Sequence, residues 1–360
     1  MIVEMAAAFP GAPIFALFDV MAPAARARIS AGPTRTSPMQ LIPGIGRRYR
    51  SLLPIMPWAI GQLDVRGYDV IVSSHHSVAK GVRKHAGQKH LCYCNSPMRY
   101  AWDKREEYLA DHGFTGIKAT AAHAILERIR RWDLRVADGV DRFLANSAFV
   151  GERIRRTYGR ESVVLHPPVD LEFFTPAAPR EPAAPDVYVT ASRHVPYKRI
   201  DRIVEAFRAL PTRRRVVLGD GPQHAFIRAL AAGASNIELR GEVPRAELRD
   251  WFRRARAFVF AAEEDFGIVP IEAQACGTPV IALGKGGALE TVRGDEGPGR
   301  TGLLFADDAA ATIAGAVERF EALSTPPTAA ACRTNAERFS PTGFRAALKR
   351  EVSSLWAAPA

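Results

Sequence analysis

The segment from residue 256 to residue 282 constrains the fold of this chain more than any other. It begins with a short apolar strand pattern, R-A-F-V-F-A-A, and continues with three acids, E-E-D. Gly267 then permits a tight backbone turn, and Pro270 is suited to the first turn of a helix, where a missing N–H costs nothing. The following G-T-P predicts the end of that helix. The pattern therefore predicts a buried strand, an acidic loop and a helix.

Two carboxylates in this segment, Glu264 and Glu272, stand close to the predicted start of the helix. Carboxylates accept hydrogen bonds from sugar hydroxyls, and the free N–H groups of a helix N-terminus attract phosphate. A sugar nucleotide carries both kinds of group. The alternative is that each is a surface carboxylate that stabilises the helix dipole by about 0.3–1 kcal/mol. Such a stabilising role needs only one of them.

The rest of the chain alternates between strand and helix patterns, which predicts an α/β fold with two doubly wound, Rossmann-like domains. Strands are predicted at residues 68–74, 90–94, 143–146 and 187–190, and long helices at 120–137 and 341–355. A proline-rich stretch reads as a linker. We therefore expect a first domain over residues 1–174, a linker over 175–186, a second domain over 187–338 and a terminal segment over 339–360.

The beginning of the chain departs from this pattern. A doubly wound domain opens with a strand and a glycine-rich turn into its first helix. Here residues 1–9 read as the helix itself, and residues 12–18 read as the second strand. We therefore expect the first domain to lack its first strand, and roughly 20 further residues to lie upstream in the gene, at the usual βα spacing. The 360-residue form is then expected to bind nucleotide but to transfer sugar poorly.

Most of the net positive charge lies in the first half of the chain. Residues 1–180 carry 25 Lys and Arg against 16 Asp and Glu, which is +9 of the total net charge of +11. This half fits a polyanion, an anionic membrane or a phosphorylated acceptor, although a dispersed arginine-rich surface explains it equally well. Nucleic acid is excluded as a partner because the basic residues are not interleaved with stacking aromatics.

Residues 44–58 are basic first and apolar afterwards. Arg47, Arg48 and Arg50 could meet anionic headgroups while Trp58 lies at the membrane interface. The alternative is a buried helix with a basic outer edge. No apolar run approaches the about 20 residues of a spanning helix, and the start lacks the positive region of a signal peptide. The four cysteines form no metal pattern and are expected to be reduced, which indicates a cytoplasmic protein, with peripheral contact to the inner face of the plasma membrane left open.

Several motifs together resemble one family. They are E-x7-E beside F-G-I-V-P-I-E-A, S-R-H-V-P-Y-K at 192–198, V-L-G-D-G-P at 217–222, H-P-P-V-D at 166–170 and L-A-N-S at 144–147. In their order along the chain they are similar to the motifs of GT-B retaining glycosyltransferases of family 4, and the resemblance covers about residues 67–345. C-N-S-P-M-R-Y-A-W-D at 94–103 looks most like the O-antigen-type mannosyltransferases.

The resemblance implies two domains that face a cleft, a terminal helix that crosses back onto the first domain, and transfer of a hexose from a nucleotide-sugar. GDP-mannose is the donor that it favours, with a UDP-sugar as an alternative. The acceptor that it implies is a saccharide or a polyprenyl-linked saccharide in surface polysaccharide synthesis. A nucleotide-sugar-binding protein with impaired or no transfer remains the alternative, because the first strand and glycine loop are missing.

Arg193 and Lys198 follow a predicted strand, where ligands bind in α/β sheets. Two cations there can stabilise the diphosphate that leaves a nucleotide-sugar. Because the chain contains no D-x-D, we expect no metal cofactor. The resemblance gives Glu264 the hydroxyls of the transferred sugar and Glu272 the ribose. It also implies donor binding by Gly219, Val243, Gly267, Ile268 and Val269.

On the acceptor side the candidates are Asn95, Arg99 and His75. Many family members have a histidine where this chain has Asn95, and an amide cannot shuttle a proton. His75 lies at another predicted strand edge, and a loop histidine without function is the alternative. No side chain is a firm candidate for a covalent nucleophile, so same-face attack assisted by the leaving group is expected. A GT-B epimerase would share the fold but would lack Arg193, Lys198 and the two glutamates.

Overall fold

The computed structural model describes residues 1–29, 32–103, 105, 109, 116–177, 187–295 and 297–358. The chain folds as two compact units, one formed by Met1–His166 with Thr342–Ala360 and the other by Pro167–Pro341. The division therefore falls between His166 and Pro167, earlier than the expected first-domain end at residue 174. Most of the expected linker, residues 178–186, lies outside the described residues.

The first unit contains two parallel sheets. The smaller has two strands, β1 (Ile14–Ala16) and β2 (Thr34–Thr36). The larger has the order β3-β4-β5-β6, formed by Val70–His75, Lys89–Cys94, Arg142–Ala145 and Ser162–Val164. The strands predicted at 12–18, 68–74, 90–94 and 143–146 are all present, with boundaries shifted by a few residues. The sequence patterns did not predict that β1 and β2 would form a sheet of their own.

The helices of the first unit begin with a short one at the start of the chain, as predicted. They are α1 (Ile2–Ala8), α2 (Pro23–Arg26), α3 (Ile45–Arg48), α4 (Met56–Ile60), α5 (Gly116–Ala137) and α6 (Ala148–Tyr158). Short 3-10 helices lie at Pro38–Leu41, Tyr49–Ile55 and Ala79–Gly81. Ser147 caps α6 with its side-chain oxygen, which accepts a hydrogen bond from Val150 N–H, and Gly159 ends the helix in the left-handed conformation.

The second unit is built on one parallel six-stranded sheet. Its strands are β7 (Val187–Ala191), β8 (Arg214–Leu218), β9 (Ile237–Gly241), β10 (Ala257–Phe260), β11 (Val280–Leu283) and β12 (Gly302–Phe305), in the order β12-β11-β10-β7-β8-β9. The chain runs outward from β7 to β9 and then crosses to β10 on the other side of β7. The direction of winding thus reverses between β7 and β10, as in the doubly wound sheet that the sequence predicts.

Helices cover both faces of this sheet, so β7, β10 and β11 are buried along their whole length. The helices are α7 (Ile200–Arg208), α8 (His224–Ala231), α9 (Arg245–Arg254), α10 (Ile268–Ala275), α11 (Ala288–Thr291), α12 (Ala310–Glu321) and α13 (Ala329–Glu337), with a 3-10 helix at Pro196–Lys198. The apolar side chains form two core clusters, one on each side of the sheet.

The last helix, α14 (Pro341–Ala357), packs within the first unit from Thr342 onward. Phe344 and Leu348 share a core cluster with Leu91 and Tyr93 of β4. An ion pair between Arg142 of β5 and Glu351, 3.0 Å apart, and a second between Arg345 and Glu4 of α1 attach the helix to this unit.

Candidate functional site

The loops that follow β7 and β10 leave the second sheet where its winding reverses, and the crevice at this point is where doubly wound sheets bind ligands. Lys198 ends the 3-10 helix after β7, and Glu264 lies in the loop after β10. The Lys198 ammonium forms an ion pair with the Glu264 carboxylate, and these side chains are only 16% and 19% exposed. The structure therefore brings two of the predicted site residues into direct contact.

Arg193 lies in the same loop as Lys198 but is exposed. Its guanidinium makes no hydrogen bond or ion pair to any residue that the structure describes, which leaves it available to an anion. It lines a cavity of about 600 Å³ together with Ser192, Asp220, Gly221, Pro222 and Glu242. The wall of this cavity thus combines a free cation with two exposed carboxylates.

Gly219 fixes the distance between the loops that follow β7 and β8. Its φ of 113° is unfavourable for other residues, and a Cβ here would lie 1.9 Å from the carbonyl oxygen of Ser192. Ser192 N–H in turn donates to Leu218 O at 3.1 Å. A side chain at position 219 would therefore force the loop that carries Arg193 away from its place.

Two further glycines, Gly286 and Gly287, support the loop that carries Glu264. Gly287 N–H donates to Glu264 O at 2.9 Å. A Cβ at Gly286 would lie 2.4 Å from Glu264 O, and one at Gly287 would lie 2.3 Å from the Phe266 backbone. The sequence analysis did not single out these two positions, although the dipeptide G-G three residues after β11 was an available signal.

Helix α10 begins immediately after this loop. Gly267 has a φ of 85° at its N-terminal flank, a conformation that favours glycine. Ile268 is 39% exposed, and Val269 is partly buried against the core. The first N–H groups of an α-helix have no intrahelical acceptor, so this end of α10 presents free donors beside the Glu264 loop.

Glu272 lies one turn further along α10 and is partly buried. Burial raises the pKa of its carboxyl to about 7, with Asp170 acting in the same direction and Arg245 opposing it. Arg245 forms an ion pair with Asp170 at 2.9 Å, and Val243, also predicted at the donor site, packs against the same core. Glu272 therefore titrates near neutral pH, a property that the sequence pattern did not predict.

The acceptor candidates lie in the first unit, at the carboxyl ends of β3 and β4. The Asn95 amide donates to Ser74 Oγ and to His75 O, both at 3.2 Å, and Arg99 is partly buried. His75 is fully buried, its Nδ1 accepts from Lys80 N–H at 3.4 Å, and burial lowers its pKa well below the usual value. The expectation that His75 reaches an acceptor is therefore wrong for this structure, because its ring belongs to the core.

Among the described residues, no group of three or more His, Cys, Asp or Glu side chains is placed to hold a metal ion. None of the helices in the described ranges has the length and apolar character needed to span a bilayer. All four cysteines, Cys92, Cys94, Cys276 and Cys332, are buried, and none forms a disulfide within the described part of the chain.

Comparison with known families adds to this geometry. Residues 17–173 match the model described as Glycosyltransferase Family 4, and residues 174–339 match the model described as Glycosyl transferases group 1. The chain is similar to D-inositol 3-phosphate glycosyltransferase of Streptomyces bingchenggensis, with 34% identity over 47% of this chain and 43% of that protein. It is also similar to a GDP-mannose-dependent monoacylated alpha-(1-6)-phosphatidylinositol monomannoside mannosyltransferase of Corynebacterium glutamicum, with 31% identity over 44% and 48% of the two chains.

Solved structures show the same fold over nearly the whole chain. Sucrose-phosphate synthase from Thermosynechococcus elongatus matches with a TM-score of 0.69 and 20% identity, over 99% of this chain and 92% of that one. HepE of Anabaena, in complex with UDP and glucose, matches with a TM-score of 0.69 and 17% identity, over 98% and 94%. The chain spans about half the length of the curated relatives that it matches. Two consecutive domain models, together with parallel sheets in both units, identify this chain as a GT-B fold glycosyltransferase of family 4.

Proposed function

We propose that this chain transfers a hexose, with retention of anomeric configuration, from a nucleotide-sugar to a saccharide or lipid-linked saccharide. The observation that carries the proposal is the contact between Lys198 and Glu264 at the point where the strand order reverses. An ammonium and a carboxylate held together there suit a ligand that joins a diphosphate to a polyhydroxylated ring.

Each side chain then has a distinct role. Arg193 and Lys198 stabilise the negative charge that grows on the diphosphate as its bond to the sugar breaks. Glu264 accepts hydrogen bonds from the sugar hydroxyls, and Glu272 accepts from the ribose. Gly219 and Gly267 hold the loops, and Val243, Ile268 and Val269 line the donor side.

The reaction that fits these groups is attack on the same face of the sugar from which the diphosphate leaves. The acceptor oxygen bonds to the anomeric carbon, the bond from that carbon to the phosphate oxygen breaks, and the acceptor proton passes to the leaving phosphate. Glu264 is paired with Lys198, which makes it a poor covalent nucleophile. Asn95 cannot shuttle a proton, so no step depends on it.

GDP-mannose is the proposed donor. Support comes from the Corynebacterium relative, whose name specifies GDP-mannose as its donor. A UDP-sugar is the alternative, since HepE has been solved with UDP-glucose. Calorimetry with GDP-mannose, UDP-glucose and UDP-galactose tests this choice. GDP-mannose should bind at least about tenfold more tightly, a difference of about 1.4 kcal/mol, and a preference for either UDP-sugar would overturn it.

A polyprenyl-linked saccharide of surface polysaccharide synthesis is the proposed acceptor. A phosphorylated polyol is a second candidate, because several relatives are named D-inositol 3-phosphate glycosyltransferase. The net charge of +9 in residues 1–180 suits either acceptor, since both carry phosphate. Transfer assays with a polyprenyl-diphosphate saccharide and with inositol 3-phosphate, run in parallel, decide between them.

A metal ion is not part of the proposed mechanism. Arg193 and Lys198 supply two positive charges where the diphosphate leaves, the role that a divalent ion fills in other enzymes. Transfer is therefore expected to continue in EDTA. A strict requirement for Mg²⁺ or Mn²⁺, restored by adding back the ion, would show that these two side chains are not sufficient.

Peripheral contact with an anionic membrane is proposed for the segment from Leu41 to Trp58. These two side chains are 84% and 57% exposed, and Arg47, Arg48 and Arg50 between them are exposed as well. Apolar side chains beside arginines suit the interface of an anionic bilayer. Contact of this kind agrees with a cytoplasmic enzyme that acts on a lipid-linked acceptor.

Flotation with vesicles tests this contact. Wild type should float with vesicles that contain phosphatidylglycerol and not with neutral ones, and replacing Arg47, Arg48 and Arg50 with Ser should abolish flotation. Replacing the exposed arginines of α5, Arg128, Arg131 and Arg135, is the matched control and should have no effect. Equal loss in both triple variants would show that only the overall charge matters.

A further inference from the structure

Two histidines stack directly behind the residue that is proposed to hold the diphosphate. The rings of His194 and His224 are 5.1 Å apart at an angle of 6°, and their Nδ1 atoms are 3.1 Å apart. His194 follows Arg193 in the loop after β7. His224 is the first residue of α8, just beyond the glycine turn that follows β8.

The backbone of His194 also joins these two loops. His194 N–H donates to Asp220 O at 2.9 Å, and His194 O accepts from Gln223 N–H at 3.0 Å. A Cβ at Gly221 would lie 2.5 Å from His194 O, so the loops touch without any space between them. Arg193 is therefore attached to a loop whose position depends on the contact with the start of α8.

The hydrogen bonds define the tautomer of each ring. Arg228 Nη2 lies 3.1 Å from His224 Nε2, and because a guanidinium can only donate, this nitrogen accepts. The proton of His224 is consequently on Nδ1 and is donated to Nδ1 of His194. His194 then carries its proton on Nε2, which is buried and has no hydrogen-bond partner among the described residues.

This arrangement requires that both rings are neutral. A second proton on His194 would place two N–H groups face to face at 3.1 Å, and a second proton on His224 would point an N–H at the Arg228 guanidinium. Burial lowers the pKa of His194, and the adjacent His224 lowers it further, while Asp220 acts in the opposite direction. The charged groups that face the pair are Asp220, 3.6 Å from His224 Nδ1, Arg228 on α8 and Arg193 on the loop itself.

We infer that the His194–His224 pair is a positioning device that holds Arg193 toward the donor diphosphate and releases it when either ring becomes protonated. The pair touches no reacting atom and acts only through the loop. The inference rests on the proposed function, because it assigns the pair to the site that would bind the nucleotide-sugar. The inference also predicts that the nucleotide-sugar binds more weakly in acid, because protonation breaks a contact within the protein.

Two substitutions of His224 distinguish the loss of its hydrogen bonds from the effect of protonation. His224→Gln keeps a carbonyl for Arg228 and an N–H₂ for His194. It cannot itself be protonated, and its amide can turn so that the carbonyl accepts from a protonated His194, whereas His224→Ala removes both bonds. GDP-mannose and UDP-glucose are the probes, since the pyrophosphate of a nucleotide-sugar does not titrate between about pH 5 and pH 8, the range in which histidines change charge. Glu272 is present in wild type and in both variants, so the difference in their pH dependence of affinity comes from the histidines.

Wild type is expected to lose at least about tenfold in affinity from pH 7 to pH 5 relative to His224→Gln, the value of one lost charge-assisted hydrogen bond. At neutral pH, His224→Gln should bind within about threefold of wild type, and His224→Ala should bind about tenfold more weakly with an unchanged thermal midpoint. In the Arg193→Ala background, His224→Ala should cause no additional loss.

The positioning role of the pair and the proposed donor site are refuted by different results. Failure of the wild-type protein to bind either nucleotide-sugar at neutral pH would refute the donor site itself, and with it this role of the pair. Binding by wild type with the same acid loss in His224→Gln, or full affinity in a folded His224→Ala, would overturn the positioning role alone. An imidazole ¹⁵N spectrum that puts the His194 proton on Nδ1 would likewise overturn it.

Discussion

Lys198 in the loop after β7 forms an ion pair with Glu264 in the loop after β10, and neither loop is close to the other in sequence. The two strands are neighbours in the sheet, which is why their loops meet. A cation proposed to hold phosphate and a carboxylate proposed to hold sugar are thus oriented by each other before any ligand binds. Such mutual orientation reduces the conformational entropy that is lost on binding.

Loss of Lys198 or of Glu264 should also disturb the orientation of the remaining side chain. Lys198→Ala and Glu264→Gln are each expected to lower kcat/KM by roughly 10- to 100-fold, the value of about 1.5–3 kcal/mol for a charge-assisted hydrogen bond. Because the side chains are in contact, the double variant should lose less than the product of the single effects. The Arg199–Asp308 pair, 2.7 Å apart, is the control and should have little effect. Strictly multiplicative losses would contradict the coupling.

Arg193→Ala should lower kcat/KM by a similar factor without changing the thermal midpoint, since the side chain is exposed and supports no other described residue. Initial rates and a melting curve on the same preparation measure both. Arg202→Ala is a suitable control, because Arg202 is also exposed and pairs with Asp201 and Glu205 of its own helix α7. Near-normal turnover of Arg193→Ala would remove it from the site.

Glu272 predicts a pH dependence. Its folded pKa of about 7 lies above the value of 4.5 for an ordinary glutamate, so its contribution to stability is present in acid and is lost as pH rises through about 7. The thermal midpoint of wild type should therefore fall relative to Glu272→Gln as pH rises from about 4.5 to about 7 and level off above that, while affinity for nucleotide-sugar rises as the carboxylate forms. Glu318→Gln, at an exposed position on α12, is the control for the substitution itself. Parallel curves for Glu272→Gln would refute the raised pKa.

The sequence predicted the second unit more accurately than the first. Around Gly267 and Pro270, local turn and helix rules agree with the tertiary structure, so the strand, acidic loop and helix were found in place. The separation of β1 and β2 into their own sheet depends on long-range pairing, which no local pattern encodes. His75 was misplaced for a related reason: a histidine after a strand reads as a loop residue, and only the packed structure reveals that its ring is in the core.

The histidine pair and the Lys198–Glu264 contact were also beyond the reach of pattern reasoning. His194 and His224 are separated in sequence by helix α7 and strand β8, and their contact follows from the pairing of β7 with β8. Likewise, the raised pKa of Glu272 arises from burial and from Asp170, which is distant in sequence. Sequence patterns identified the chemical groups, whereas their partners and protonation states required the fold.

Arg215 gives a prediction about stability. Its side chain is fully buried in β8, 4.8 Å from the Phe207 ring, and its three guanidinium nitrogens have no hydrogen-bond partner among the described residues. Burial lowers its pKa well below the usual value. Replacing even a buried ion pair with apolar side chains is neutral to stabilising by about 1–4 kcal/mol, and a buried charge without a partner is more costly still, so Arg215→Met should raise the thermal midpoint.

The control for Arg215 is Arg213→Met two residues earlier. Arg213 is near the surface and pairs with Glu321 at 2.8 Å, so its loss should be neutral or slightly destabilising. A lower midpoint for Arg215→Met, measured by calorimetry at the same pH, would contradict the assignment of an unpaired buried charge.

The most direct test of the proposed transferase is acceptor-dependent release of GDP from GDP-mannose. Wild type and the Lys198→Ala variant should be compared with and without a polyprenyl-linked saccharide, and the anomeric configuration of the product should be read by NMR. We expect release that requires the acceptor, a product with the configuration of the donor, and a rate at least about tenfold lower in the variant. Binding of the nucleotide-sugar with no acceptor-dependent release, or a product of inverted configuration, would contradict the account.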